Sequence, residues 1–151
     1  LREKISSVVP SEETYIYHTW NIDNKSEEAQ KKELYKFTNF VDTTKDKKVI
    51  FISTTSQTES HYVRFKQLAE SYLIQNHNNC LVLRFPTLIG KGIFYDFKNG
   101  KKQPYGTMRV MTISKACNFI LKNINYKGCL KIKSFMGHKI KAKTVYELVQ
   151  L

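Results

Sequence analysis

Two short runs, "KKVIFIST" at 47–54 and "CLVLRF" at 80–85, have unbroken apolar centres, "VIFI" at 49–52 and "CLVL" at 80–83, rather than an apolar residue at every second position. Alternation marks a strand wetted on one face, whereas continuous apolarity over so few residues marks a strand buried on both. Such strands need a helical layer on each side, and the neighbouring segments supply helices. "EEAQKKELYKFTNFVDTTK" opens after Ser26 as an N-cap, has Glu27 and Glu28 in its first turn, and repeats Leu34, Phe37, Phe40 and Val41 at helical spacing. Beyond the polar loop "TSQTES", Phe65, Leu68, Ala69, Tyr72 and Leu73 form a second stripe that reaches about Asn76.

The remaining elements complete an alternation. "TYIYHTW" at 14–20, β-branched and aromatic, reads as a strand ahead of the first helix. The stretch from Pro86 to Thr107 reads as loop, and its Gly90 and Gly92 are not followed by a recognisable helix. "MRVMTISKACNFILKNI" reads as a short strand turning into a helix, "GCLKIKSF" as one more strand, and "KAKTVYELVQL" as a closing helix. Strand, helix, strand, helix, strand with short connections predicts an α/β chain with a doubly wound parallel sheet and right-handed crossovers. In such sheets ligands meet the carboxyl ends of the strands. "VIFIST" brings Ser53 and Thr54 to that edge, and the next helix opens there with Tyr62 and Lys66.

Composition narrows the partners. At 151 residues the chain has the size of one domain. A formal net charge of +12 favours anionic ligands, with nucleic acid as a second choice, because the lysines are spread along the chain and read first as solvated faces. No apolar run approaches the roughly 18 residues of a membrane span, so no membrane role is expected. Cys80, Cys117 and Cys129 lie in apolar patterns and read as buried thiols of a reducing compartment, the cytoplasm. His77 and Cys80 lack a second ligand pair, so no metal is expected.

Tyr62 and Lys66 share a helical face, and an ammonium one turn away favours a phenolate. They make a workable acid/base pair, with Thr54 or its neighbour Ser53 as hydroxyl donor to a substrate oxygen. The spacing alone says little: with nine tyrosines in this lysine-rich chain, about one Tyr-x-x-x-Lys is expected by chance. The neighbouring segments add the information, since the pair stands between a buried strand ending in hydroxyls and another ending in "LRFP".

From Thr14 onward the chain resembles the later portion of the short-chain dehydrogenase/reductase superfamily, in its extended or atypical NAD-dependent epimerase/dehydratase branch. "KKVIFISTTS" resembles that family's strand ending in the catalytic Ser or Thr, "YVRFKQLAE" its Tyr-x-x-x-Lys helix with a following acid, and "LVLRFPTLIGKG" its next strand and loop. The resemblance implies a partial Rossmann-like sheet over residues 1–107 and a small α+β substrate lobe over 108–151 that is not independent. It implies Tyr62 as acid/base, Lys66 as its partner and ribose ligand, Thr54 then Ser53 as the orienting hydroxyl, and Pro86 and Thr87 beside the nicotinamide.

It also implies NAD or NADP as cofactor, a nucleotide-sugar substrate, and epimerase, dehydratase or reductase chemistry. A homodimer through the helices at 26–44 and 61–76 would follow. The family's glycine-rich cofactor turn has no counterpart ahead of Tyr62, because the first glycine is Gly90. The expectation is therefore a fragment, with about sixty to eighty residues of a two-half dinucleotide fold still to precede it. The alternative is a catalytically inactive remnant that serves as a structural or an anion- or nucleic-acid-binding module.

Overall fold

The computed structural model describes residues 14–100 and 102–149. Strands β1 (Thr14–Tyr17), β2 (Lys48–Thr54), β3 (Cys80–Phe85) and β6 (Ile132–Ser134) form one all-parallel sheet in the order β1-β2-β3-β6. Helix α1 (Glu27–Thr43) links β1 to β2, and α2 (His61–Asn76) links β2 to β3. Ser26 and Ser60 cap these helices through their side chains, accepting from the Ala29 and Val63 amides.

The continuous apolar runs act as read. Val49, Phe51, Cys80 and Val82 pack with Phe37, Val41, Phe65, Ala69 and Leu73 of α1 and α2. Ile50, Ile52, Leu81, Leu83 and Phe85 pack on the other side with Ala116, Cys117 and Ile120 of helix α4 (Ile113–Asn123). Each strand thus sends alternate residues into two separate cores. Phe37 and Phe51, both fully buried, stand 4.5 Å apart between ring centroids at the centre of the first.

A second, three-stranded sheet holds β4 (Thr87–Ile89), β5 (Thr107–Thr112) and β7 (His138–Lys141), with β4 parallel and β7 antiparallel to β5. Its own core joins Ile93 and Phe97 of helix α3 (Lys91–Lys98) to Ala142 and Val145 of α5 (Ala142–Val149). Residue 107 is not a border between the sheets: β4 joins the second sheet from before it, and β6 the first sheet from after it.

Three expectations are corrected. The Pro86–Thr107 stretch contains β4 and α3, so a helix does follow Gly90 and takes in Gly92. It is only eight residues long and stands on packing by Ile93 and Phe97 rather than on a cap motif. "TYIYHTW" is strand only to Tyr17, after which the chain turns to build a loop around Trp20. Cys129 is exposed, unlike Cys80 and Cys117, because it lies in the irregular segment before β6.

Several basic side chains have structural partners. Lys48 donates to the carbonyls of Asn123, Ile124 and Tyr126 at the end of α4. Lys45 reaches the Asn76 carbonyl and Lys131 the Asn78 carbonyl beyond the end of α2. These are helix ends with orphan acceptors and partial negative charge. His77 is also structural: its Nδ1 accepts from the Asn79 amide, so Nε2 carries the proton and donates to the Thr44 carbonyl at 2.8 Å.

Candidate active site

Ser53 and Thr54 are neighbours in sequence and face opposite layers. Ser53 continues the Val49 and Phe51 face and is buried, its hydroxyl donating to Glu70 Oε2 at 2.6 Å on α2. Thr54 continues the Ile50 and Ile52 face, and its Oγ1 accepts from the Ser56 amide at 3.0 Å. Strand alternation allows only one of the two to point at the helix that carries Tyr62 and Lys66. The ladder runs one residue further, with the Thr55 amide donating to the Phe85 carbonyl, so Thr55 is the next residue with Ser53's parity.

Lys66 is buried, 6% exposed, with its ammonium donating to the Ile52 carbonyl at 3.3 Å. Aromatic rings surround it: Nζ lies 5.2 Å from the Tyr62 ring centroid, 5.6 Å from Phe51 and 5.8 Å from Trp20. Burial draws its pKa down to about 8, and the Glu70 carboxylate opposes that fall. Glu70 stands one turn further along α2 and is held from three sides. Besides Ser53, Arg84 Nη2 donates to Oε1 at 2.5 Å, and Arg84 Nε lies 3.1 and 3.2 Å from the two oxygens. A buried carboxylate held this way fixes the helix turn that carries Lys66.

Tyr62 is half-buried, with the Lys25 ammonium 5.0 Å from its ring centroid. Burial pushes its phenol up to about 12. The spacing of the pair suggested an eased phenolate. In this state desolvation outweighs the neighbouring cation, so the Tyr62 phenol is protonated at neutral pH. Pro86, buried, follows β3, and Thr87, exposed, opens β4 opposite Val110. Both lie at the carboxyl edge, where the chain passes from the first sheet to the second.

The motifs did not mark Trp20, Gln30 or Glu33. Trp20 is 7% exposed and its indole donates to Gln30 Oε1 at 2.6 Å. Gln30 is fully buried and donates through Nε2 to the Asn21 and Asn24 carbonyls, at 2.9 and 2.8 Å. The only signal in the sequence was that the chain's single tryptophan follows the first strand. Glu33 lies one turn along α1, with Oε1 3.7 Å from Lys36 and Oε2 buried without a hydrogen-bond partner among the described residues. A cavity of about 570 Å³ opens there, lined by Tyr17, Thr19, Trp20, Asn21, Glu33 and Lys36.

The residues as they stand do not fit the ribose end of a nicotinamide nucleotide. The Lys66 ammonium that would meet the ribose hydroxyls is directed at a main-chain carbonyl and covered by Trp20. No glycine precedes Gly90 to let a backbone approach a pyrophosphate.

No family model and no curated protein matches the sequence. Solved structures match the fold. WbmG of Bordetella bronchiseptica, crystallised with NAD, aligns with 97% of this chain and 57% of its own at TM-score 0.70 and 12% identity. It has also been crystallised with NAD and UDP. dTDP-4-dehydrorhamnose reductase of Bacillus anthracis, with NADP, aligns with 99% of this chain and 66% of its own at TM-score 0.70 and 11% identity. L-threonine dehydrogenase of Phytophthora infestans aligns with 95% and 63%, at TM-score 0.65 and 14% identity. The chain therefore has a Rossmann-like fold of the kind found in these three enzymes. It spans less than two thirds of each of these three proteins.

Proposed function

We propose that this chain is the carboxyl-terminal, chemistry-bearing part of a nicotinamide-dependent enzyme acting on nucleotide-linked sugars, as an epimerase, dehydratase or reductase. One observation carries the reading. Tyr62 and Lys66 stand on successive turns of α2 at the carboxyl edge of a parallel sheet, and the Ser53–Glu70–Arg84 network fixes that helix against β2 and β3. Tyr62, held protonated, is equipped to give a proton to a sugar oxygen, and Lys66 to steady the charge left on the phenol. A hydroxyl from the end of β2, Thr54 or Ser53, would orient that oxygen. Ser53 would first have to leave Glu70.

NAD or NADP enters by resemblance alone. Its pyrophosphate would be held by a glycine-rich segment that this chain does not contain. Pro86 and Thr87 would border the nicotinamide, chiefly through backbone. Within 108–151, β5, β7 and α5 would serve as a dependent substrate lobe. The outer faces of α1 and α2, with Tyr35 61% and Leu68 44% exposed, would pair two copies as a homodimer.

NADH and NADPH titrations onto the 151-residue chain, followed by nucleotide fluorescence, test the need for a further segment. Negligible binding is expected, and micromolar affinity for the isolated chain would overturn that part of the reading. In the complete enzyme, Tyr62→Phe is expected to lower turnover by about 10²–10⁴-fold. Unchanged turnover would remove Tyr62 from the mechanism.

A second reading, a non-catalytic structural or anion-binding module, is favoured by the enclosure of Lys66 and the +12 charge. It predicts salt-sensitive binding of generic nucleic acid, and no binding at low salt would remove its nucleic-acid form.

A further inference from the structure

Trp20 belongs to no catalytic motif, yet it decides what Lys66 can touch. The indole closes one side of the ammonium, 5.8 Å from Nζ, and a relay from Gln30 to the Asn21 and Asn24 carbonyls holds the loop around it. Beside the indole opens the surface cleft of about 570 Å³ that Trp20 itself borders. Glu33, one helical turn from Gln30 on the same face of α1, lines that cleft and has a buried oxygen without a partner among the described residues. Buried acceptors without donors are rare in folded proteins and call for an explanation.

We propose that Trp20 is a movable wall of the Lys66 site. In the closed position, the one seen here, the indole N–H is bonded to Gln30 and Lys66 is sealed. In the open position the indole swings out into that cleft, its N–H passes to Glu33, and Lys66 becomes accessible to the vicinal hydroxyls of a ribose-bearing nucleotide. The two acceptors are one helical turn apart on one face, so a side-chain swing with a small loop adjustment exchanges one for the other. Each position satisfies the indole donor, which is the condition for two discrete states rather than a continuum. The wall rests on the functional reading only for the identity of the ligand that Lys66 meets.

The test is amine access, measured without nucleotide. Acetic anhydride pulses at pH 10, read by mass spectrometry, give the rate at Lys66 relative to exposed Lys31 on α1. In the wild-type chain Lys66 is expected to react at least about 30-fold more slowly than Lys31, as for a site reached through a local opening. Trp20→Ala is expected to bring the two within about 3-fold of each other. Gln30→Ala, which removes the closed-state acceptor while keeping the indole, should fall between them. It should also raise acrylamide quenching of the chain's single tryptophan. Glu33→Leu removes the open-state acceptor and should leave Lys66 at or below the wild-type rate.

Wild-type Lys66 reacting as fast as Lys31 would overturn the wall. So would full protection in both Trp20→Ala and Gln30→Ala chains that are folded by circular dichroism. A faster Lys66 in Glu33→Leu would overturn the role of Glu33. Failure here leaves the catalytic reading standing, whereas full turnover by Tyr62→Phe in the complete enzyme would remove that reading and leave the wall.

Discussion

Replacing Lys66 by methionine separates its charge from its bulk. The ammonium's pKa stands at about 8 in the folded chain, against an ordinary 10.5 once unfolded. A base whose folded pKa is lowered costs stability while both states are protonated, below pH 8, and the cost is relieved as pH rises towards 10.5. The full penalty is about 3 kcal/mol, most of which is recovered between pH 7 and pH 10. Methionine fills a similar volume and has no such term, but it forfeits the bond to Ile52 and leaves that carbonyl short of a donor. Lys66→Met is therefore expected to be more stable than wild type at pH 7 by only about 1 kcal/mol. By pH 10 the wild type should be the more stable.

Urea unfolding at pH 7, 8, 9 and 10 provides the comparison. Lys48, whose pKa burial also lowers, acts in both proteins and cancels in the difference. The series should stop at pH 10, because Tyr17 and Tyr62, with phenols raised to about 12, begin to withdraw stability above it. Parallel stability curves for the two proteins across the range would refute the claim that Lys66 is buried as a cation of lowered proton affinity.

Arg84→Met strips Glu70 of its bidentate partner and should cost about 3 kcal/mol, while Arg84→Met with Glu70→Leu should cost less than the two single changes added together; additive losses in urea titrations would show the pair is uncoupled. Lys48→Met leaves the α4 carbonyls without their donor and should lower stability by about 1–2 kcal/mol, with a drop in melting temperature of a few degrees; an unchanged midpoint would mean water replaces the lysine at no cost. Gly137, at φ +65, has no room for a side chain, since a Cβ would lie 2.3 Å from the Val110 carbonyl oxygen. Gly137→Ala should destabilise by at least about 2 kcal/mol, and a neutral calorimetric result would refute the tight join between Pro86 and the second sheet.

Much of this was legible because hydrophobic continuity and helical spacing are strong local signals. "VIFI" and "CLVL" had to be two-sided strands, and Ser26 had to start a helix. The same continuity hid the site's handedness. When both faces of a strand are apolar, nothing in the pattern says which residues face which layer, so Ser53 and Thr54 looked interchangeable until Glu70 was seen to take only Ser53. Helix α3 and strand β4 were missed because each is short and follows or precedes glycine or proline. They stand on contacts with residues about fifty positions away, such as Ala142 and Val145, rather than on local preference. The Trp20 enclosure was illegible for a related reason: it joins side chains from a loop, two helices and a strand, which no linear motif spans.

The lysines at the strand starts change what the +12 charge means. Charge is a vector quantity as well as a sum. Helices α1 and α2 begin at the carboxyl edge of the sheet, so their peptide dipoles place positive poles beside Tyr62, while the ends of α2 and α4 place negative poles beneath Lys45 and Lys131 and beneath Lys48, respectively. Those three cations are therefore spent locally against main-chain oxygens. An anion approaching from afar is drawn by the monopole, while at close range the multipole favours the carboxyl edge.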